Sequence, residues 1–129
     1  MTLILDSGGI TALAGDRARL TELRRRDLWP PEVPSVTLVE ALTGDHRRDF
    51  EANRLLRTCL VVDVDEATCR EAARIRTASG RAASISAVDA VVVVAVAASR
   101  PYPVVLTSDP DHMAALIAQS PRSIGIVTV

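Results

Sequence analysis

The chain has 129 residues, which suits one compact unit, and we predict a single domain over residues 1–129. Its net charge is −1, so it lacks the overall basic excess that marks many nucleic-acid-binding domains. All 15 cationic side chains are arginines, which excludes mechanisms that need a lysine but leaves phosphate binding open.

The first third of the chain predicts one strand, one charged helix, one extended segment and a second helix. The apolar run "TLILD" ends in an acid before two glycines, which indicates a buried strand followed by a turn. Apolar residues spaced among charges make "DRARLTELRRRDLW" an amphipathic helix. The prolines of "PPEVPSV" favour extended backbone, and Thr37–Gly44 predicts a helix closed by Gly44.

The rest of the chain continues the alternation of strands and helices. The predicted elements are, in order, a helix in "DHRRDFEANRLLRTC", a strand in "LVVDVD", a helix in "DEATCREAARIRTASG", a helix from about Ser86, a strand in "PYPVVLTSD", a helix in "PDHMAALIAQS" and a strand in "SIGIVTV". Single strands separated by helices predict an α/β domain with a parallel sheet of four or five strands and helices on both faces.

The apolar segment Ala82–Ser99 contains one charge, Asp89. Its length is near the lower limit for a membrane span, but the central carboxylate and the small residues argue against one. The N-terminus has no basic leader of the signal-peptide kind. Two cysteines, Cys59 and Cys69, match no common zinc pattern, and we expect both to be buried thiols in a reducing cytoplasm.

Four acids lie where the predicted strands end or just beyond. Asp6 ends the first strand, Asp109 follows the strand "VVLTS", and Glu40 and Asp89 lie on helices entered from extended or loop segments. Because ligands bind beyond the carboxyl ends of strands in open parallel sheets, these side chains can meet at one edge.

Each acid also has a purely structural interpretation. Thr37 with Glu40, and Ser86 with Asp89, have the spacing of a capping box. Asp109 can cap the helix that begins at Pro110, and Asp6 can cap a turn. Capping and metal binding are compatible, because a helix N-terminus orients a carboxylate without protonating it.

A cluster of carboxylates without histidine or cysteine forms a hard-oxygen site that suits Mg²⁺ or Mn²⁺ rather than zinc. One or two such ions can activate water and stabilise charge on a phosphodiester. We expect Asp6 and Asp89 to be direct ligands of the main ion. Glu40 and Asp109 would complete its shell through water or hold a second ion.

These segments together resemble PIN-domain ribonucleases, in particular the VapC-type toxins of type II toxin–antitoxin pairs. The resemblance rests on "LILDSGG", "VPSVTLVEALTG", "SISAVDAVVVVAVA" and "VLTSDPDHMAAL" and covers essentially the whole chain. It implies a three-layer α/β/α fold and assigns catalytic and metal-binding roles to four acids, which are Asp6, Glu40, Asp89 and Asp109. It also implies Mg²⁺- or Mn²⁺-dependent cleavage of single-stranded or loop RNA, a homodimer, and inhibition by a VapB-like antitoxin.

Some positions depart from the family pattern. Gly8 and Gly9 stand where relatives often carry bulkier residues, which predicts a looser first turn. His112 stands where an acid or a larger apolar residue is common, and it is either a proton donor or a surface residue. Asp111 can share the role of Asp109.

Other functional classes compete with the nuclease. The missing lysine counts against receiver domains and haloacid-dehalogenase-like phosphatases, and no dinucleotide or P-loop motif is present. A catalytically inert PIN scaffold that binds RNA or a protein partner stays open. Candidate RNA contacts, which surface solvation explains equally well, are Arg17, Arg47, Arg48 and Arg81.

Overall fold

A computed structural model describes residues 1–98 and 102–129 of the chain. Residues 99–101 lie outside the described ranges. They include Ser99, the predicted end of the apolar segment, and Pro101, the predicted start of the strand "PYPVVLTSD".

Within residues 1–98 and 102–129, five parallel strands form one sheet, in agreement with the predicted four or five. The strands are β1 (Thr2–Leu5), β2 (Glu32–Pro34), β3 (Leu60–Val62), β4 (Pro103–Thr107) and β5 (Gly125–Thr128). Their order across the sheet is β3-β2-β1-β4-β5, so β1 is the central strand. Its neighbour β4 pairs in the register Leu5 with Leu106, which aligns the carboxyl ends of both strands.

In the described parts of the chain, seven α-helices connect the strands. They are α1 (Ser7–Leu13), α2 (Arg17–Arg25), α3 (Leu38–Ala41), α4 (Phe50–Leu56), α5 (Glu66–Ala78), α6 (Ala87–Ala98) and α7 (Pro110–Ile117), with a 3₁₀ turn at Ser35–Thr37 before α3. The sequence predicted a turn rather than α1, because a glycine pair disfavours helix. A side-chain cap from Asp6 nevertheless starts this helix.

The side chains of β1 alternate between two cores, as expected for a strand with a period of two. Ile4 packs with residues of α5, α6 and α7, whereas Leu3 and Leu5 pack with α1 and α4. Helices therefore cover both faces of the sheet, which confirms the predicted three-layer α/β/α arrangement. Within the described ranges, no helix is both long enough and apolar enough to cross a bilayer.

The predicted helix boundary at Gly44 is wrong. The helix α3 ends at Ala41, and Gly44 lies in the following loop with a positive φ of 85°. The buried Asp49 carboxylate accepts hydrogen bonds from the amides of Thr43 (2.9 Å) and Gly44 (2.8 Å). This side-chain bridge satisfies backbone amides that a continued α3 would have paired, so α3 need not extend to Gly44, and α4 begins at Phe50.

The prediction of two buried cysteines is also wrong. Cys69 is exposed, because it lies in the first turn of α5, ahead of the residues that this helix buries, Ala72 and Ile75. Cys59 is half-buried, and burial raises the pKa of its thiol to about 11.

Candidate metal centre

The first predicted site residue, Asp6, lies at the carboxyl end of the central strand. Its side chain is buried, and its Oδ1 accepts a 2.7 Å hydrogen bond from the amide of Gly9, so Asp6 is the N-cap of α1. Burial raises the pKa of Asp6, while hydrogen bonds from Thr107, Gly9 and Gly8 oppose that shift. The capping interpretation of Asp6 is therefore correct, and the cap fixes the carboxylate at the sheet edge.

Thr107 connects Asp6 to the end of the neighbouring strand. This residue is fully buried at the end of β4. Its side chain bonds to the Asp6 carboxylate, and its Oγ1 accepts a 2.9 Å bond from the amide of Asp109. A hydroxyl can donate and accept at once, so one side chain ties two acidic positions together.

Asp89 is the most strongly perturbed acid of the group. It lies in the first turn of α6 with only 8% of its surface exposed. Burial, followed by the charges of Asp6, Glu40 and Asp109, raises its pKa to about 6, and His112 opposes this shift. The fold has therefore brought all four predicted acids into one electrostatic neighbourhood.

The four acids do not lie equally close together. Among residues 1–98 and 102–129, the group whose potential ligand atoms lie within 4.8 Å of one another consists of Asp89, Asp109 and His112. Asp6 is buried but lies outside this group, and Glu40 is exposed on α3. Glu40 borders an open cleft of about 390 Å³ that Gly8 and Ser108 also line, so the acidic edge opens to solvent.

No known family profile matches the chain, and no curated protein matches it. Solved structures do. The DNA-bound VapBC structure from Salmonella typhimurium matches at 18% identity and a TM-score of 0.65, covering 99% of this chain and 98% of that one. PAE2754 from Pyrobaculum aerophilum matches at 18% identity and a TM-score of 0.63, covering 97% and 83% respectively. This chain has the fold of a PIN domain.

In this PIN fold, His112 belongs to the site, which the sequence left undecided between a proton donor and a surface residue. His112 lies three residues after Asp109 on α7, and its Nδ1 is 2.8 Å from Asp109 Oδ2. The side chain is only 24% exposed. The signal was present in the sequence, because residues three apart share one face of a helix.

The neighbouring Asp111 is exposed and lies outside that close group.

The two glycines of the PIN fold's first helix, Gly8 and Gly9, allow α1 to contact the end of β4 closely and do not loosen the turn after β1. A Cβ on Gly9 would lie 2.5 Å from the carbonyl oxygen of Leu106, and one on Gly8 would lie 2.9 Å from the amide nitrogen of Ser108. The helix α1 therefore packs directly on the end of β4. The expectation of a looser first turn is wrong, because the missing side chains let two backbones approach.

The capping alternatives have different outcomes. Thr37 makes no side-chain cap bond, and its hydroxyl donates instead to the carbonyl of Pro34. Asp109 also makes no cap bond, whereas Ser86 caps α6 by accepting a 3.1 Å bond from the amide of Val88. Capping thus does not explain why Asp109 lies at the sheet edge.

All four candidate RNA-contacting arginines are exposed; they are Arg17, Arg47, Arg48 and Arg81. Arg17 borders a second cleft of about 330 Å³ that Arg24 and Arg54 also line. The role of these arginines remains a prediction.

Proposed function

We propose that this protein is a Mg²⁺- or Mn²⁺-dependent endoribonuclease that cleaves single-stranded or loop RNA by water attack on a phosphodiester. The observation that carries the proposal is the environment of Asp89. Burial, followed by the charges of three further acids, raises the pKa of its carboxylate. A carboxylate in such a place is costly unless an opposite charge joins it, and a divalent cation provides that charge.

The residues at this edge fit a divalent cation. Asp89 and Asp109 offer carboxylate oxygens and His112 offers a ring nitrogen, with all three donor atoms within 4.8 Å of one another. Burial and the charges of nearby acids, Asp6 and Glu40 among them, raise the pKa of Asp89, so these two side chains can supply further carboxylate oxygens to the ion. A bound cation would supply Lewis acidity, which lowers the pKa of water and neutralises charge on the phosphodiester.

Each acid has a distinct task in this proposal. Asp6 and Asp89 bind the main ion, and the bonds from Gly9 and Thr107 hold Asp6 in place. Glu40 and Asp109 complete the ion's surroundings or hold a second ion. Both are partly or fully open to solvent, so the phosphodiester approaches from their side.

We further propose that the protein acts in the cytoplasm as the toxin of a toxin–antitoxin pair, as a homodimer that a VapB-like antitoxin inhibits. The likeness to a VapBC structure over 99% of the chain supports this assignment. Coexpression with the small protein encoded next to it should abolish RNA cleavage. Sedimentation of the purified protein should give twice the chain mass.

The decisive experiment measures cleavage of purified cellular RNA with Mg²⁺, Mn²⁺ or EDTA. Wild type should cleave with either cation and be inactive in EDTA, and Asp6→Asn and Asp89→Ala should be inactive although folded. Asp63→Asn is the matched control, because this exposed acid also follows a strand but lies two strands from β1. Sequencing the new RNA 5′ ends identifies the target.

Two results would contradict the proposal in different ways. Cation-dependent cleavage that is unchanged in Asp6→Asn would refute the site. Failure of folded wild type to cleave any cellular RNA would refute the nuclease and favour the inert scaffold.

A further inference from the structure

His112 brings a nitrogen donor into a group that the sequence predicted from carboxylates alone. We propose that His112 is a direct ligand of the cation and that it makes this site select Mn²⁺ over Mg²⁺. The inference rests on the proposed function only because it uses the same cation site. It adds which cation that site prefers and which side chain determines the preference.

The geometry of the three side chains permits one shared ion. Two ligand atoms that each lie about 2.0–2.2 Å from a metal are at most about 4.4 Å apart. The donor atoms of Asp89, Asp109 and His112 all lie within 4.8 Å of one another before any ion draws them together. Small side-chain movements can therefore bring all three donor atoms to one ion.

The state of Asp89 is an independent observation that points to a ligand. More than nine-tenths of its surface is buried, and among the described residues none donates a hydrogen bond to its carboxylate, whose oxygens therefore depend on the little solvent that reaches the sheet edge. Buried carboxylates are otherwise paired, hydrogen-bonded or bound to metal. The side chains whose donor atoms lie within 4.8 Å of it are Asp109, which repels it, and His112.

The chemistry of the donor set favours Mn²⁺. Mg²⁺ is a hard ion that prefers oxygen ligands and gives up its water reluctantly. Imidazole nitrogen suits transition metals, and Mn²⁺ accepts it alongside carboxylates. An imidazole added to the carboxylates of this site therefore favours Mn²⁺ over Mg²⁺ more than the carboxylates alone would.

The contact between His112 and Asp109 allows a competing role. Nδ1 of His112 lies 2.8 Å from Asp109 Oδ2, so the ring can orient Asp109 without touching the ion. In that case His112 is a positioning residue, and any replacement that keeps the donor keeps the selectivity. Asparagine is such a replacement, because its side-chain NH₂ can donate from near the position of Nδ1.

The experiment titrates metal-free protein with Mn²⁺ alone and with Mg²⁺ alone, using calorimetry, and compares wild type with His112→Asn and His112→Asp. Wild type should bind Mn²⁺ at least about tenfold more tightly than Mg²⁺. His112→Asn should weaken Mn²⁺ binding by about tenfold or more and change Mg²⁺ binding by less than about threefold. His112→Asp, which supplies oxygen instead of nitrogen, should lower the ratio of Mn²⁺ to Mg²⁺ affinity.

A spectroscopic measurement separates a ligand from a positioning residue. Pulsed electron paramagnetic resonance of the Mn²⁺-loaded wild type should show coupling to a directly bound ¹⁴N, and His112→Asn should lose it. His46→Asn is the matched control, because His46 is exposed in the loop before α4 and should leave both affinities unchanged. Circular dichroism verifies that every variant is folded.

Several results would overturn the inference. They are a wild type that binds no Mn²⁺, equal Mn²⁺ and Mg²⁺ affinities, a selectivity that survives in His112→Asn, and no nitrogen coupling. None of these measurements uses RNA. Intact His112-dependent Mn²⁺ binding without RNA cleavage would therefore refute the proposed nuclease and leave this inference standing.

Discussion

Replacing Asp89 by asparagine should stabilise the metal-free protein while removing its response to metal. Asp89 has a pKa of about 6 in the folded chain, against 3.8 for an ordinary aspartate, because it is buried beside Asp6, Glu40 and Asp109. A difference of about two units corresponds to about 3 kcal/mol of destabilisation when the group is ionised. Contact with the remaining solvent reduces this figure, so we expect a gain of about 1–3 kcal/mol for Asp89→Asn at pH 7.5.

The sign of the effect follows from proton linkage. Between about pH 4 and pH 6 the folded wild type binds a proton on Asp89 that the unfolded chain has lost, so wild-type stability falls as the pH rises through this window. Asparagine does not titrate. The stability advantage of Asp89→Asn should therefore be fully present above pH 6, shrink as the pH falls from 6 to 4, and be absent below about pH 4.

The assay is urea unfolding in EDTA at pH 7.5 and pH 4, followed by thermal unfolding with and without Mn²⁺. Mn²⁺ should raise the melting temperature of wild type and leave that of Asp89→Asn unchanged. The exposed control Asp63→Asn should alter stability by less than about 0.5 kcal/mol at either pH. A variant that is no more stable than wild type at pH 7.5 in EDTA would refute the electrostatic reasoning.

Three further predictions concern packing, hydrogen bonding and reactivity. Gly9→Ala should lower the free energy of unfolding by about 2–3 kcal/mol, because its Cβ would lie 2.5 Å from the carbonyl oxygen of Leu106. An unchanged midpoint of urea unfolding would show that α1 does not pack against the end of β4. Thr107→Val should lower the free energy of unfolding by about 1–3 kcal/mol and weaken RNA cleavage, because the Asp6 carboxylate and the Asp109 amide both lose a hydrogen-bond partner. A variant as stable as wild type would contradict the role of Thr107 in joining these two residues. An aromatic disulfide reagent should react with one thiol of the native protein, that of exposed Cys69, and with the half-buried thiol of Cys59 only after unfolding. Rapid reaction of both thiols in the native protein would contradict the burial of Cys59.

Sequence patterns located most elements because each one buries a local stripe or run of side chains. The run Thr2–Leu5 alternates between two cores and therefore appears in the sequence as an unbroken apolar strand. The glycine pair at positions 8 and 9 led the sequence to predict a turn instead of a helix. These glycines instead allow close contact with the end of a strand about a hundred residues later in the chain, which local patterns do not show. The predicted helix end at Gly44 failed for a similar reason, because the amide of Gly44 donates its hydrogen bond to the Asp49 side chain and not to the preceding helix.

For the candidate site, the sequence by itself determined which acids follow strands. Because the strands are parallel, their carboxyl ends lie along one edge of the sheet, and the acids that follow them come together there. Only the tertiary structure decided how deep each acid lies. It buries Asp89, leaves Glu40 exposed, links Asp6 to Asp109 through Thr107, and adds His112. Burial and charge–charge distance depend on elements far apart in the chain, so spacing along the sequence can nominate a ligand but cannot set its pKa.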